Sequence, residues 1–153
     1  MGCSVEGANM LRKRQNSRRT PAKRLKRPLR AKSISKLMRE ADKLFSLLVR
    51  KKGLQGDLQT CFTCGHVSHW KKLHAGHYLS RYYKAARWNR DNVRPQCFVC
   101  NIYKKGDVIM FRRNLIKEIG EARVLAVEAL RDAPIKLTRE YLENLLLQLS
   151  NTS

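Results

Sequence analysis

Acidic side chains are scarce in this sequence. Only 12 Asp and Glu stand against 33 Lys and Arg in 153 residues, a formal charge of +21. A surface this unbalanced repels itself in the compact state, so a polyanionic partner is the natural explanation, nucleic acid first and an anionic membrane second. Long apolar runs are missing as well. Nothing approaches the ~20 residues that a membrane span needs, and no signal-peptide stretch follows Met1. Met1-Gly2-Cys3 invites a lipidation reading, but the myristoylation pattern asks for Ser or Thr where Glu6 stands. No membrane partner is therefore expected. Cysteine is sparse but not scattered. Four of the five cysteines form two pairs of identical spacing, Cys61/Cys64 and Cys97/Cys100, and Cys3 is left over. Without a secretion signal, paired C-x-x-C units read as a metal site in a reducing cytoplasm rather than as disulfides.

Composition also divides the chain. Residues 1–33 hold eleven Lys or Arg and one acid, Glu6, with no apolar period. They read as a disordered basic arm, or more blandly as a solvated tail. The remainder, 34–153, reads as one domain, since 42% hydrophobic residues allow a core. Ile34, Leu37, Met38, Ala41, Leu44, Phe45 and Leu48 recur at helical spacing, Ser33 or Ser35 can cap the start, and Gly53 and Gly56 end the run. This predicts a helix over 34–52 whose stripe is core. Residues 57–106 are rich in Cys, His, aromatic and basic residues and show little helical period. Helices follow over 108–149. One runs from Val108 towards Leu130 with a break near Gly120, Pro134 stops it, and Thr138 caps a last helix through Leu149.

The two cysteine pairs supply four thiolates, and 32 residues lie between Cys64 and Cys97. Zinc takes four soft ligands in a tetrahedron, and each pair can chelate from a tight turn that Gly65 helps to form. A closed set of this kind is structural. Binding could contribute ~10–16 kcal/mol to folding, in a segment with little core of its own. His66 and His69 are the substitute ligands.

Between the cysteines the sequence reads LHAGHYLSR and then RWNRDNVRPQCFVCN. The order of cysteine pair, histidine, asparagine, cysteine pair and polar residue resembles HNH nucleases with a zinc-binding cysteine quartet. In those, a histidine ends the first strand of a hairpin, an asparagine precedes the second, and a ligand opens the helix after the last cysteine. The matching positions are His77, Asn92 and Asn101. The AGHY and QCFVCN elements, the turn at Gly106 and the stretch LIKEIG resemble the phage lambda NinG/Rap recombination family over about 35–149. The resemblance implies an α+β fold, a zinc-bound ββα-metal (HNH-like) core flanked by α-helices. It also implies endonucleolytic processing of branched recombination DNA in the cytoplasm of a bacterial host.

The chemistry fits these residues. Phosphodiester hydrolysis needs an activated water and a cation to neutralise the phosphate and the leaving oxygen. A neutral imidazole with a pKa near its usual ~6.5 can take the water's proton, and His77 is the candidate base. Asn92 would hold the histidine loop through side-chain hydrogen bonds, or simply make an Asx-turn. Asn101 would bind the catalytic metal, as the equivalent asparagine does in endonuclease VII-type resolvases, or would cap a helix. Where the family pattern carries aspartate, three residues before the base, this chain has His74. Colicin-type ββα nucleases use histidine ligands, so His74 is a second candidate ligand. The catalytic cation would be Mg²⁺ or Mn²⁺, although imidazole suits Zn²⁺ or Ni²⁺ better than Mg²⁺. Asp91 and Asp107 are the only carboxylates expected near the site.

Nine cations punctuate the module: Lys71, Lys72, Arg81, Lys84, Arg87, Arg90, Arg94, Lys104 and Lys105. They interleave with Tyr78, Tyr82, Tyr83, Trp88 and Tyr103. Cations neutralise phosphates and aromatics stack on unpaired bases, although Trp88 reads better as core around the zinc. No base-reading signature is present, so recognition of DNA by shape and backbone is expected. Cutting a symmetric junction would favour a homodimer. Two rivals remain: a non-catalytic zinc-knuckle nucleic-acid-binding protein, and a structural component of a ribonucleoprotein.

Overall fold

A computed structural model describes residues 1–2 and 31–152. Most of the expected basic arm, together with Cys3, lies outside the described residues. Helix α1 (Ile34–Lys51) starts where the Ser33 hydroxyl accepts from the Lys36 backbone N–H at 3.3 Å, leaving Ser35 inside the helix. Arg50 and Lys51 sit in its last turn, where cations complement the helix dipole. Its buried stripe, Leu37, Ala41, Phe45 and Val49, keeps a strict four-residue spacing. That stripe packs on Leu142 and Leu149 of α4 (Arg139–Ser150), and Trp88 and Val93 join the same cluster. α4 begins with Thr138, whose Oγ1 accepts from the Tyr141 N–H at 3.1 Å.

The stretch expected as one broken helix is two. α2 (Val108–Ile119) and α3 (Glu121–Ala129) are separated by Gly120, whose φ of 84° lies in the left-handed region. Their contact is a second cluster, built on Phe111, Leu115, Val124 and Val127, with Tyr78, Leu79 and Ala86 of the preceding loop.

Between α1 and α2 lie two antiparallel hairpins. β1 (Leu58–Thr60) pairs with β2 (Val67–His69), so the turn between them carries the first cysteine pair. A single helical turn, Trp70–Lys72, leads into β3 (His74–His77), which pairs with β4 (Val93–Gln96) in the register His74↔Gln96 to His77↔Val93. A π-helical turn, Val99–Tyr103, then closes the second cysteine pair. The described fold is α+β, with a shell of helices and two small sheets, β3–β4 packed on α1 and β1–β2 largely at the surface. No helix among the described residues is long and apolar enough to cross a membrane.

Candidate metal centre and active-site cleft

The four paired cysteines converge. The sulfur atoms of Cys61, Cys64, Cys97 and Cys100 all lie within 4.8 Å of one another, and Cys64 Sγ is 3.8 Å from Cys97 Sγ. A tetrahedron with Zn–S bonds of ~2.3 Å has edges of about 3.8 Å, so the cluster is close to the size of a four-thiolate zinc site. Local backbone explains the convergence. Gly65, at a φ of 75°, turns the first pair, and its N–H donates to Cys61 O at 2.9 Å. Burial pushes the Cys61 thiol up, but hydrogen bonds from the backbones of Cys64, Cys97 and Thr63 outweigh it and bring it down to about 7. A thiol near neutrality is readily surrendered as thiolate to a metal. His66 and His69 stand outside this set, and His69 Nδ1 accepts instead from the Lys71 N–H.

Beside this centre lies a cleft of about 400 Å³, and His74, His77 and Asn101 all line it. His74 and His77 begin and end β3, and Asn101 comes from the π-helical turn. Pairing of β3 with β4 and closure of the cysteine cluster therefore bring the three together. Among the described residues, neither the Asn101 amide nor the His74 ring makes a side-chain hydrogen bond, and the ring neighbour of His74 is Phe98, with centroids 6.0 Å apart. Both are polar groups free to take a ligand.

His77 is held more tightly. Nδ1 lies 3.2 Å from Ala75 O and Nε2 lies 3.1 Å from Arg87 O. A neutral ring has one N–H, so one nitrogen necessarily turns a lone pair towards a carbonyl that cannot donate to it. Burial lowers the His77 pKa below the ordinary histidine value, against the raising effect of the two carbonyls. The neutral ring is thus favoured although only one of its contacts can be a hydrogen bond.

Asn92 organises the loop that covers His77. It is fully buried; its Oδ1 accepts from the Leu79 N–H at 2.7 Å, and its Nδ2 donates to Leu79 O at 3.0 Å and Ala86 O at 2.9 Å. Gln96 ties the hairpin to both cysteine turns, donating to Thr63 Oγ1 and to Gly106 O. Its Oε1 sits so near Gly76 that a Cβ there would come within 2.0 Å of it, which explains why the strand carries glycine at that position.

The structure corrects the expectation about carboxylates. Asp91 and Asp107 are not the carboxylates of the cleft, because Asp91 pairs with Arg123 and Asp107 with Lys104. The cleft carboxylate is Asp42 of α1. It receives Arg87 through two bonds, at 2.9 and 2.6 Å, and the Trp88 indole N–H at 3.0 Å. Its signal was present in the sequence as a second stripe, Asp42–Ser46–Arg50, one residue on from the apolar stripe and also at four-residue spacing.

Not all nine expected cations are free. Arg94 is only 9% exposed and bound to Glu118, and Arg87 is held by Asp42, whereas Lys71, Lys72, Arg81, Lys84, Arg90, Lys104 and Lys105 are exposed. Two arginines are drawn inwards because a carboxylate awaits each.

Nor are all the aromatics available. Trp88 is buried against α1 and α4, and Tyr78 is buried with its hydroxyl on Glu128, which together with burial pushes its pKa up to about 12. Tyr82 and Tyr103 are exposed.

Comparison with known proteins places this arrangement. Curated relatives include the protein ninG of Escherichia phage lambda, 32% identical over 106 residues, covering 67% of this chain and 49% of the relative. The protein ninG of Enterobacteria phage VT2-Sa is 31% identical over 106 residues, 67% of this chain and 50% of the relative. The chain thus spans about half the length of the curated relatives it matches. No solved structure matches it. The family described as Bacteriophage Lambda NinG protein matches residues 3–151. That match takes in the basic segment, which the motif resemblance had left outside. With both cysteine pairs, the cleft residues and the closing helices all inside a match that spans nearly the whole sequence, the chain belongs to the bacteriophage lambda NinG family.

Proposed function

We propose that this chain is a metal-dependent endonuclease that hydrolyses phosphodiesters in branched DNA, working in the cytoplasm of an infected bacterium. In this reading β3, β4 and the turn carrying Asn101 act as a zinc-stapled ββα-metal, HNH-like site. The observation that carries it is the convergence of His74, His77 and Asn101 on one cleft rimmed by cations. His74 and Asn101 would hold the catalytic cation, since both line the cleft and neither side chain has a hydrogen-bond partner among the described residues. With Asp42 engaged by Arg87 and Trp88, no free carboxylate among the described residues completes that pair. Substrate phosphate oxygens and water then have to fill the shell. The bound cation would supply Lewis-acid polarisation of the phosphate and charge stabilisation at the leaving oxygen.

The chain's own residues do the rest. In the tautomer that donates from Nδ1 to Ala75 O, neutral His77 has its Nε2 lone pair for the proton of an attacking water. The Arg87 carbonyl lies 3.1 Å from that nitrogen, so the water would have to approach Nε2 beside it, not between the two. Asn92 fixes the loop and so the carbonyl. The exposed cations bind the strands, and two copies acting together would account for paired cuts in a symmetric junction.

The test is cleavage of junction, flap, duplex and RNA substrates by the zinc-loaded protein with Mg²⁺, Mn²⁺, Ni²⁺ or Zn²⁺ added. His77→Ala should lower the single-turnover rate by about 10²–10⁴ while zinc content and junction affinity persist. The wild-type rate should fall with pH only below the ordinary histidine range, since burial keeps His77 neutral to lower pH. A His77→Ala protein that cuts like wild type removes the base from the scheme. A second reading, a zinc-knuckle binding module without catalysis, is favoured by the contact of both His77 nitrogens with backbone carbonyls. It gains if wild type binds the junction and cuts nothing with any metal.

A further inference from the structure

The half-buried arginines of this fold come with carboxylates. Arg87 has Asp42, Arg94 has Glu118 and Arg112 has Glu128. Arg50 breaks the pattern. It is half-buried and lines the cleft, yet among the described residues no carboxylate meets it. Two backbone carbonyls hold it instead, Ser46 O at 3.2 Å from Nε and Leu73 O at 3.5 Å from one terminal nitrogen. Those bonds leave the other terminal nitrogen and its donors uncommitted.

Two lysines share Arg50's aromatic neighbour. Its Cζ lies 5.4 Å from the centroid of the Trp70 ring, with Lys51 Nζ at 5.1 Å and Lys71 Nζ at 5.7 Å from the same ring. An indole ring attracts cations but does not neutralise them. The available acids do not help. Asp42 lines the same cleft but is taken by Arg87 and Trp88. Asp57 meets Trp70 through its backbone carbonyl, and its carboxylate pairs with none of the three. Burial lowers the Arg50 pKa with nothing to raise it, as expected of a cation still lacking its anion. A preformed, unneutralised guanidinium beside a hydrolytic cleft has one obvious counter-ion in a chain of charge +21.

We propose that Arg50 and Lys71, which line the cleft, together with Lys51 near the same Trp70 ring, form a binding site for a single backbone phosphodiester of the DNA strand, adjacent to the linkage that is cut. The proposal deepens the nuclease reading and rests on it for the substrate. Arg50 is the anchor because its position is fixed by backbone carbonyls before the ligand arrives. The lysines add charge, and the Trp70 ring is the neighbour all three cations share. The site registers the strand by its backbone, so it is indifferent to sequence.

The experiment measures binding by the zinc-loaded full chain without added divalent metal, so that nothing is cut. The substrates are a junction and a series of copies, each with one phosphodiester replaced by a neutral methylphosphonate. In wild type, one linkage next to the branch should stand out, its neutralisation weakening binding by about tenfold. Arg50→Gln should weaken binding to the unmodified junction by a similar factor, lose the sensitivity at that linkage alone, and flatten the dependence of log K on log salt by about one unit. Trp70→Ala, which leaves the cations in place, should blur the position of the sensitive linkage. Arg50→Lys should recover the salt slope without the sharp position.

If Arg50→Gln keeps the wild-type affinity and slope, or remains as sensitive as wild type at the same linkage, the phosphate site is wrong whether or not the protein cuts. If wild type cuts no DNA but shows the Arg50-dependent linkage, the site stands and the nuclease reading fails. If wild type binds no DNA, both fail.

Discussion

The helical shell and the cysteine module are stabilised in different ways. The shell buries apolar stripes: Leu37, Ala41, Phe45 and Val49 on α1 against α4, and Phe111 and Leu115 on α2 against α3. The module has strands of three or four residues, and the small cluster at its centre is three cysteines and Leu73. It also holds the buried polar side chains of the described residues, Asn92, Gln96, Thr63 and Arg94, while its Tyr78, Leu79, Ala86, Trp88 and Val93 are buried in the clusters shared with the helices. Hydrophobic burial needs only the right period and about the right volume. A polar and metal-bound interior needs every donor matched, and in exchange fixes side chains such as His77 to a single position. The residues proposed for chemistry sit in the second kind of structure, on short strands that could not stand alone.

The comparison can be broken most severely at the metal. Wild type should carry about one tightly held zinc per chain, and Cys97→Ser should carry none, a loss on the scale of ~10–16 kcal/mol of binding-coupled folding. Hydrogen exchange should then show residues 58–106 opened while α1 and α4 retain protection against each other. A stably folded, metal-free protein would show that the module does not depend on zinc.

In the shell, Phe111→Ala should cost about 3–5 kcal/mol, read from denaturant unfolding of the zinc-loaded protein, because a fully buried ring leaves a cavity. Zinc content should not change, and zinc release on this substitution would mean that the two regions are not separable. Within the module, Gly76→Ala should cost about 1–3 kcal/mol, since the new Cβ displaces Gln96 and strips its bonds to Thr63 and Gly106. Part of that loss should return in the Gly76→Ala/Gln96→Ala double variant, and strict additivity would deny the contact. The smallest effect is at the edge of the shell. Thr138→Ala removes one capping bond and should cost about 1 kcal/mol, with no change in zinc content or in binding to the junction.

The helices were legible because what makes them is local. Ser33, Gly120 and Thr138 mark boundaries within a residue or two of where they fall, and the stripes repeat every turn. The four strands were not legible individually. Three or four residues are too few to show an alternation, and their pairing depends on the cysteine turns closing around them. The candidate site was legible as a set of residue types in order. Cys61, Cys64, His77, Asn92, Cys97, Cys100 and Asn101 stand at spacings that point to a metal-stapled hairpin. His74, the departure from the family's pattern, could be placed by counting back from His77. Asp42 and Arg50 lie off the apolar face by which α1 is recognised, although the polar stripe they form with Ser46 has the same period.

Which charges are free, however, is not written in any local pattern. Arg87 beside Trp88 looks in sequence like Arg81 beside Tyr82, which remains exposed, and nothing adjacent to Arg94 sets it apart. Arg87 and Arg94 are withdrawn because Asp42, 45 residues away, and Glu118, 24 residues away, arrive beside them only when α1 and α2 pack on the hairpin. Arg50 is left without a carboxylate by the same packing. By itself the sequence determined the helices, the cysteine cluster and the order of His74, His77, Asn92 and Asn101, because covalent spacing and helical period act over a few residues. The tertiary structure alone decided the ion pairs, and with them where the surplus positive charge is left to meet a phosphate. Coulomb interactions depend on distance in space, and a long polar side chain pairs with whichever opposite charge the packing brings within reach.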